Sequence, residues 1–425
     1  MSGISIVACM AAILVAAWWV FGALLERAVR QIASLRDALR DESDAGGKTI
    51  AEAGAVLPSL SVVVTARDEV REIETTVRRL LAQTYPALEV IVVDDRSTDG
   101  TGEVLDRLRQ ESGASRLAVI HNRVLPGGWL GKCHACHLGA GQARGEWILF
   151  LDGDVQLVTD DLLARVVRLA STRGVDHVAV IPDQRPISPL QQALLSVFAQ
   201  MYLLAARVYE MDRDRRRGGA GIGAFNLVRR SAYDRVGGHT LVKMDPADDY
   251  KLGRLLKESG ARQRLFDGVG IVRCRWHEGA LNVARGLEKN LFSGFDYSLL
   301  ELLGFTLLSI VLVFGPLATG IAATLLVQPH GRIVLLAAAV WLPFLLQSVV
   351  IGSGFRLQSR RYGGGVLLLS LLYPVAVLVL LGAAWNSALM TIARGGIRWR
   401  DTFYPLSELR AGRVRAGAGR RFGVL

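Results

Sequence analysis

Residues 88–101 read LEVIVVDDRSTDGT, and this stretch decides the fold. A run of Leu, Val and Ile ends abruptly in two adjacent acids, Asp94 and Asp95, and a polar turn follows. A short apolar run bounded by turn residues is the pattern of a strand buried on both faces. Adjacent acids at the end of such a strand are costly unless they are solvated or engaged by a ligand. A carboxylate there can accept hydrogen bonds from a nucleotide base or ribose. Ser97, Thr98 or Asp99 can cap the helix that Val104, Leu105 and Leu108 begin.

The pattern repeats on both sides. LSVVVTARDE (60–69) is a β-branched run with a polar end, followed by a helical face of Val70, Ile73, Val77, Leu80 and Leu81 that Tyr85–Pro86 breaks. RLAVIH (116–121) and GEWILFLDGDV (145–155) give two further strands. Strands alternating with helices predict an α/β domain with a mostly parallel sheet covered on both faces. Ligands bind such sheets at the carboxyl ends of the strands. The polar residues collect there: Thr65 to Glu69, Asp94–Asp95, and Asp152-Gly153-Asp154.

Asp152 and Asp154, one residue apart at a strand end, can offer oxygens to one hard divalent cation, which would in turn bind a diphosphate. The plain alternative is an ordinary Asp-Gly turn. Asp248 and Asp249 lie in KMDPADDYKLGRLLKESG (243–260), just before an amphipathic helix. Acids in a first helical turn are favoured by the helix dipole. A carboxylate there can also act as a general base that takes the proton of an acceptor hydroxyl.

Two motifs are set aside. Cys133-His134-Ala135-Cys136-His137 contains the CxxCH of c-type haem attachment, which needs an exported domain, and no second CxxC or spaced His pair completes a zinc site. Gly219-Ala220-Gly221-Ile222-Gly223-Ala224 fits the loosest dinucleotide fingerprint, but it follows a basic stretch and not a strand. It reads as a flexible loop near the acceptor.

Of the 425 residues 51% are hydrophobic, and the mean hydropathy is +0.31. Disorder, collagen-like repeats and disulfide mini-proteins are excluded by that composition. Uncharged runs cover Ile4–Leu25, Leu302–Gln328, Ile333–Phe355 and Tyr362–Ala393. At ~1.5 Å per residue each is long enough to cross a bilayer. Four cysteines in no secreted framework point to a reducing compartment. The net charge of +11 comes with arginines that flank the apolar runs, a membrane-surface pattern rather than one for nucleic acid.

The arginines follow the first run, so the positive-inside rule places the body in the cytoplasm, on the inner membrane. Three C-terminal spans would put the arginine-rich tail outside, whereas a re-entrant Leu302–Gln328, broken at Gly315–Pro316, returns it inside. The stretch 186–206 is uncharged but carries three glutamines, and it is expected as an interfacial helix. The resulting boundaries are a transmembrane helix over 1–26, a basic juxtamembrane linker over 27–57, a globular domain over 58–297, membrane segments over 298–393 and a basic tail over 394–425.

Taken in order, VVVTARDE, VIVVDDRSTDGT, GWLGKCHA (128–135), LDGDV, DPADDYKLGRLLKESG and RCRWHEG (273–279) resemble the family 2 glycosyltransferases, inverting enzymes of the GT-A fold. The tail GGIRWRDTFYPLSEL (395–409) is similar to that of lipid-acting members. The resemblance implies a nucleotide-sugar pocket of Thr65, Arg67, Glu69 and Asp95, with Lys132 near the diphosphate. It implies Asp152 on the nucleotide or a Mn2+ or Mg2+ ion, and Asp154 as principal metal ligand. Asp249 would be the catalytic base, with Asp248, Arg275 and Trp276 on the acceptor side.

The implied reaction moves a sugar from a nucleotide diphosphate, UDP above all, to a lipid hydroxyl. Processive members carry Gln-x-x-Arg-Trp, and the Gln position here is Val272, which favours a single transfer over a polysaccharide synthase. Arg67 stands where other members have an aromatic residue, and the acidic pair is Asp-Asp in place of Glu-Asp. A non-catalytic nucleotide-sugar-binding membrane protein is the remaining alternative, and the intact acidic set argues against it.

Overall fold

The computed structural model describes residues 3–46, 57–112, 116–212, 217–274, 279–326, 341–343, 345–352 and 365–414. The chain divides into two compact units. One comprises Arg30–Gln184, Ala206–Trp276 and Gly396–Leu425; the other comprises Met1–Val29, Arg185–Ala205 and His277–Gly395.

The first unit is built on an eight-stranded sheet. Its strands are β1 (Ile32–Ser34), β2 (Leu60–Ala66), β3 (Leu88–Asp95), β4 (Leu117–Asn122), β5 (Trp147–Asp152), β7 (His177–Ile181), β8 (Asn226–Arg229) and β9 (Gln263–Asp267). The order across the sheet is β1-β9-β7-β8-β5-β2-β3-β4, and every neighbouring pair is parallel except those that β8 makes. Two short strands, β6 (Val155–Leu157) and β10 (Val272–Cys274), pair antiparallel beside it. A C-terminal hairpin of β11 (Gly396–Trp399) and β12 (Thr402–Pro405) completes the unit.

The four strands legible in the sequence are β2 to β5. Their side chains alternate between two cores. Val62 and Val64 of β2 pack with Ile73, Val77, Leu80 and Leu105 on one face, while Val63 packs with Ile91, Ile148, Phe150 and Leu252 on the other. Burial on both faces is why these strands read as unbroken apolar runs and not as alternating ones. β1 lies within the stretch expected as a linker, 27–57, and pairs with β9 at the sheet edge.

The second unit contains three helices long and apolar enough to cross a membrane: Ser5–Arg30, Leu299–Ala322 and Val366–Arg394. Large apolar side chains stand exposed along them, including Ile13, Trp19, Leu300, Leu325, Leu367 and Leu371, as a lipid-facing surface requires. The expected break at Gly315–Pro316 does not occur; the helix Leu299–Leu326 continues through it. Most of the run Ile333–Phe355 falls outside the described residues.

The segment expected as an interfacial helix is the helix Pro189–Ala205, and it is packed against Val366–Arg394 and Ala280–Gly294. Gln191, Gln192, Ser196 and Gln200 are buried. Gln191 Oε1 accepts from the backbone N–H groups of Ile187 and Gly279. Those glutamines are buried inside the unit.

Candidate active site

The site forms at the carboxyl ends of β2, β3 and β5. The polar turn after β3 holds the loop after β2 in place. Ser97 Oγ accepts from the N–H of Asp68, Thr101 Oγ1 from that of Glu69 and Asp99 from that of Val70, at 3.0, 2.9 and 3.0 Å. Asp99 also accepts from the N–H of Thr101 and so caps the helix Thr101–Ser112, as its spacing predicts. Asp94 is buried against His121 Nδ1 at 2.9 Å and is a structural residue.

Asp95 is enclosed. Arg96 grips it with two bonds of 2.9 Å, Asn122 Nδ2 donates at 2.7 Å, and Arg67 stands 3.8 Å away. Its carboxylate therefore joins two arginines at the strand ends. Thr65 lies half-buried beside Asp152, its register partner across β2 and β5.

On the other side of β2, Glu69, Asp152 and Asp154 form an acidic group. Burial, then the charge of Asp154, pushes the Glu69 carboxyl up to about 7. Burial and Asp152 likewise raise Asp154, whose Oδ2 accepts the Cys274 thiol at 3.3 Å. Carboxylates that repel one another in a half-buried group form the oxygen set a hard divalent cation takes. Asp152 and Asp154 are the residues of this group that could hold a Mg2+ or Mn2+ ion.

Lys132 and the acidic pair complete the centre. The helix Gly131–Gln142 presents Lys132 from its first turn, and its Nζ lies 2.6 Å from Asp152 Oδ1. Burial opposes the charge, but Asp152, Asp248 and Asp249 outweigh it and hold the ammonium well above its ordinary range. Asp249 is half-buried, with its Oδ2 accepting the Gly223 N–H at 2.6 Å and its Oδ1 the Tyr250 N–H at 2.8 Å. Asp248 is buried beneath it, and burial together with the charge of Asp249 pushes it up to about 7 against the pull of Lys132.

The glycine motif set aside in the sequence is part of this centre. A Cβ on Gly223 would lie 2.9 Å from Lys132 Nζ, 3.0 Å from Asp152 Oδ2 and 3.2 Å from Asp249 Oδ2. A Cβ on Gly221 would overlap the backbone carbonyl of Asp249. Three functional side chains thus meet over one residue without room for a side chain. The signal in the sequence was present, as glycines at alternate positions, but its cause is tertiary.

The CxxCH cysteines also find a setting that spacing does not reveal. Cys136, His239 and Asp248 are buried with their donor atoms within 4.8 Å of one another. Tyr233 Oη lies 2.8 Å from His239 Nδ1, and burial lowers the imidazole to about 3, so it backs Asp248 as a neutral ring. Arg275 and Trp276 lie outside the described residues.

Residues 61–237 match the family model described as Glycosyl transferase family 2. The 4,4'-diaponeurosporenoate glycosyltransferase of Staphylococcus aureus (strain bovine RF122 / ET3-1) is 23% identical over 352 residues, 82% of this chain and 89% of that protein. The protein of the same name from strain USA300 matches with the same identity and coverage. A solved structure, the mannosyltransferase PcManGT from Pyrobaculum calidifontis in complex with GDP-Man and Mn2+, aligns with 91% of this chain and 99% of its own at 18% identity and a TM-score of 0.49. The mostly parallel sheet, the acidic strand ends and the family match agree: residues 61–237 form a family 2 glycosyltransferase domain of the GT-A type, in a chain that also carries three helices long and apolar enough to cross a membrane among its described residues.

Proposed function

We propose that this enzyme transfers a sugar from a nucleotide diphosphate, UDP-linked, to the hydroxyl of a membrane lipid at the cytoplasmic face, with inversion. The observation that carries this reading is the meeting of Lys132, Asp152 and Asp249 over Gly223. It brings a phosphate-neutralising cation, a cation-binding carboxylate and a solvent-reachable base within bonding range of one small space.

The chemistry follows from those positions. The two backbone N–H bonds orient the Asp249 carboxylate, which takes the proton of the acceptor hydroxyl. The freed oxygen attacks the anomeric carbon from the face opposite the phosphate. The anomeric carbon–oxygen bond breaks, its electron pair leaves with the nucleotide diphosphate, and the Lys132 ammonium meets that charge. A divalent cation held by Asp152 and Asp154 would add charge neutralisation on the same diphosphate. Asp248, buried and pushed up to about 7, lies beside Asp249 in the same site.

The lipid acceptor is supported by the exposed apolar helices and by relatives named for the carotenoid-type substrate 4,4'-diaponeurosporenoate. The membrane side follows from parity. Ala206–Trp276 and Gly396 to Val414 belong to the unit that holds the sheet, which supports an even number of crossings between Trp276 and Gly396. Leu299–Leu326 and Val366–Arg394 are long and apolar enough to supply two crossings. The tail arginines and those between Arg27 and Arg40 then share the cytoplasmic face.

The reading is tested with purified protein, labelled nucleotide sugars and a lipid extract. Label should move into the lipid phase with one or two of the sugars, and not with the Asp249→Asn variant. Transfer that persists in that variant, or no transfer from any nucleotide sugar, contradicts it.

A further inference from the structure

The hairpin β11–β12 reaches the strand ends through four separate side chains. Arg400 Nη2 lies 3.3 Å from Glu69 Oε1, and Asp401 Oδ2 lies 3.3 Å from Arg67 Nη2. Thr402 Oγ1 accepts from Arg96 Nη1 at 3.2 Å, and Tyr404 Oη accepts from the backbone N–H of Gly131 at 3.1 Å. A surface hairpin packed for stability alone would meet apolar neighbours. This one instead meets the charged ends of β2 and β3 and the first residue of the helix that carries Lys132.

The tip has a second peculiarity. Trp399 pairs with Thr402, so Arg400 and Asp401 form a two-residue turn. Arg400 sits in the left-handed region, at φ 54°, where glycine or asparagine is the easy choice. An arginine held in an unfavourable backbone state and aimed at an acidic group marks a functional position. Its guanidinium is still 43% exposed and so is able to turn.

We infer that the hairpin is a wall of the nucleotide-sugar site and that Arg400 binds the diphosphate of the sugar nucleotide. The inference rests on the proposed nucleotide-sugar reading. Glu69, which holds Arg400, lies in the group with Asp152 and Asp154 where a diphosphate and its cation would settle. An arriving diphosphate is a stronger, bidentate partner for guanidinium than one carboxylate contact at 3.3 Å. Arg400 leaves Glu69 and closes on the phosphates, while Thr402 and Tyr404 keep the hairpin anchored. The hairpin follows the apolar helix Val366–Arg394 in the chain.

The test uses the full chain in detergent with Mn2+ and compares the calorimetric affinities for UDP, GDP and uridine. Arg400→Gly is the informative variant because it removes the guanidinium and relieves the backbone at once. Its thermal midpoint should equal or exceed that of the wild type. Its affinity for the preferred nucleoside diphosphate should fall about tenfold, with uridine affinity unchanged, and Arg400→Lys should recover part of the loss. Unchanged or tighter diphosphate binding in Arg400→Gly overturns the inference and leaves the nucleotide-sugar reading standing, the tighter case marking the hairpin as a plug. Wild-type protein that binds no nucleoside diphosphate overturns both.

Discussion

The ammonium of Lys132 stands 2.6 Å from Asp152 Oδ1 and within the field of Asp248 and Asp249, so one half-buried cation holds three acids of the site together. Its charge is structural before any ligand arrives. Replacing it leaves like charges facing one another in a half-buried space. Lys132→Met is expected to weaken nucleoside diphosphate binding by tenfold or more and to lower the thermal midpoint of the free protein. A variant that binds normally would show that Lys132 serves packing alone.

Asp249 is fixed by two backbone N–H groups and has no part in holding the sheet. Asp249→Asn keeps the shape, and the amide oxygen can still accept one of those bonds. Turnover should fall by roughly 10²–10⁴-fold, the usual contribution of a general base, while nucleotide affinity changes by less than about threefold. Parallel calorimetry and single-turnover transfer separate the two effects.

The glycines beside Asp249 are predicted to differ in kind. Gly221→Ala drives a methyl group into the Asp249 carbonyl and should cost about 1–3 kcal/mol in stability, read as a lower denaturant midpoint. Gly223→Ala meets side-chain ends that can move, so the fold should persist while turnover drops. Equal stability losses in both variants would contradict that division.

Stability should depend on pH through Asp248. Its folded carboxyl titrates near 7, above the ordinary carboxylate range near 4, so the folded state holds a proton that the unfolded state has released. That contribution is complete below about pH 4 and is lost as pH rises through about 7. Glu69 adds in the same direction. The thermal midpoint of the ligand-free protein should therefore decline between pH 5 and 7.5 more steeply in the wild type than in Asp248→Asn. Parallel curves for the two proteins would assign the proton elsewhere.

The topology predicts where reporters work. A fluorescent protein fused after Leu425 should fluoresce, and alkaline phosphatase fused there should be inactive, because the tail shares the unit of the sheet. The opposite pair of results would reverse the parity argument.

The strands β2 to β5 were legible because burial on both faces imposes unbroken apolar runs, and their acidic ends named the site. β8 was not, since Asn226–Arg229 is four residues long and half polar, and it enters antiparallel from a distant loop. β1, at three residues, carries too little pattern to separate it from a linker. Asp152 and Asp249 were read from the residues and Lys132 from the resemblance, and the fold brings the three together. The roles of Gly221 and Gly223 could not be read, because a glycine's reason lies in what approaches it. Nor could the role of Arg400, whose partner Glu69 is 331 residues away in the chain. The partners of Asp95, Arg96 and Asn122, could not be read from the sequence either.

The central claim is a cation-dependent nucleoside diphosphate site at the ends of β2 and β5. Its most direct measurement is the calorimetric affinity for UDP, with and without Mn2+, of the wild type and of Asp154→Ala. The account predicts Mn2+-dependent binding by the wild type that Asp154→Ala loses while remaining folded. UDP binding that ignores both Mn2+ and the substitution, or no nucleotide binding by well-folded wild-type protein, would contradict it.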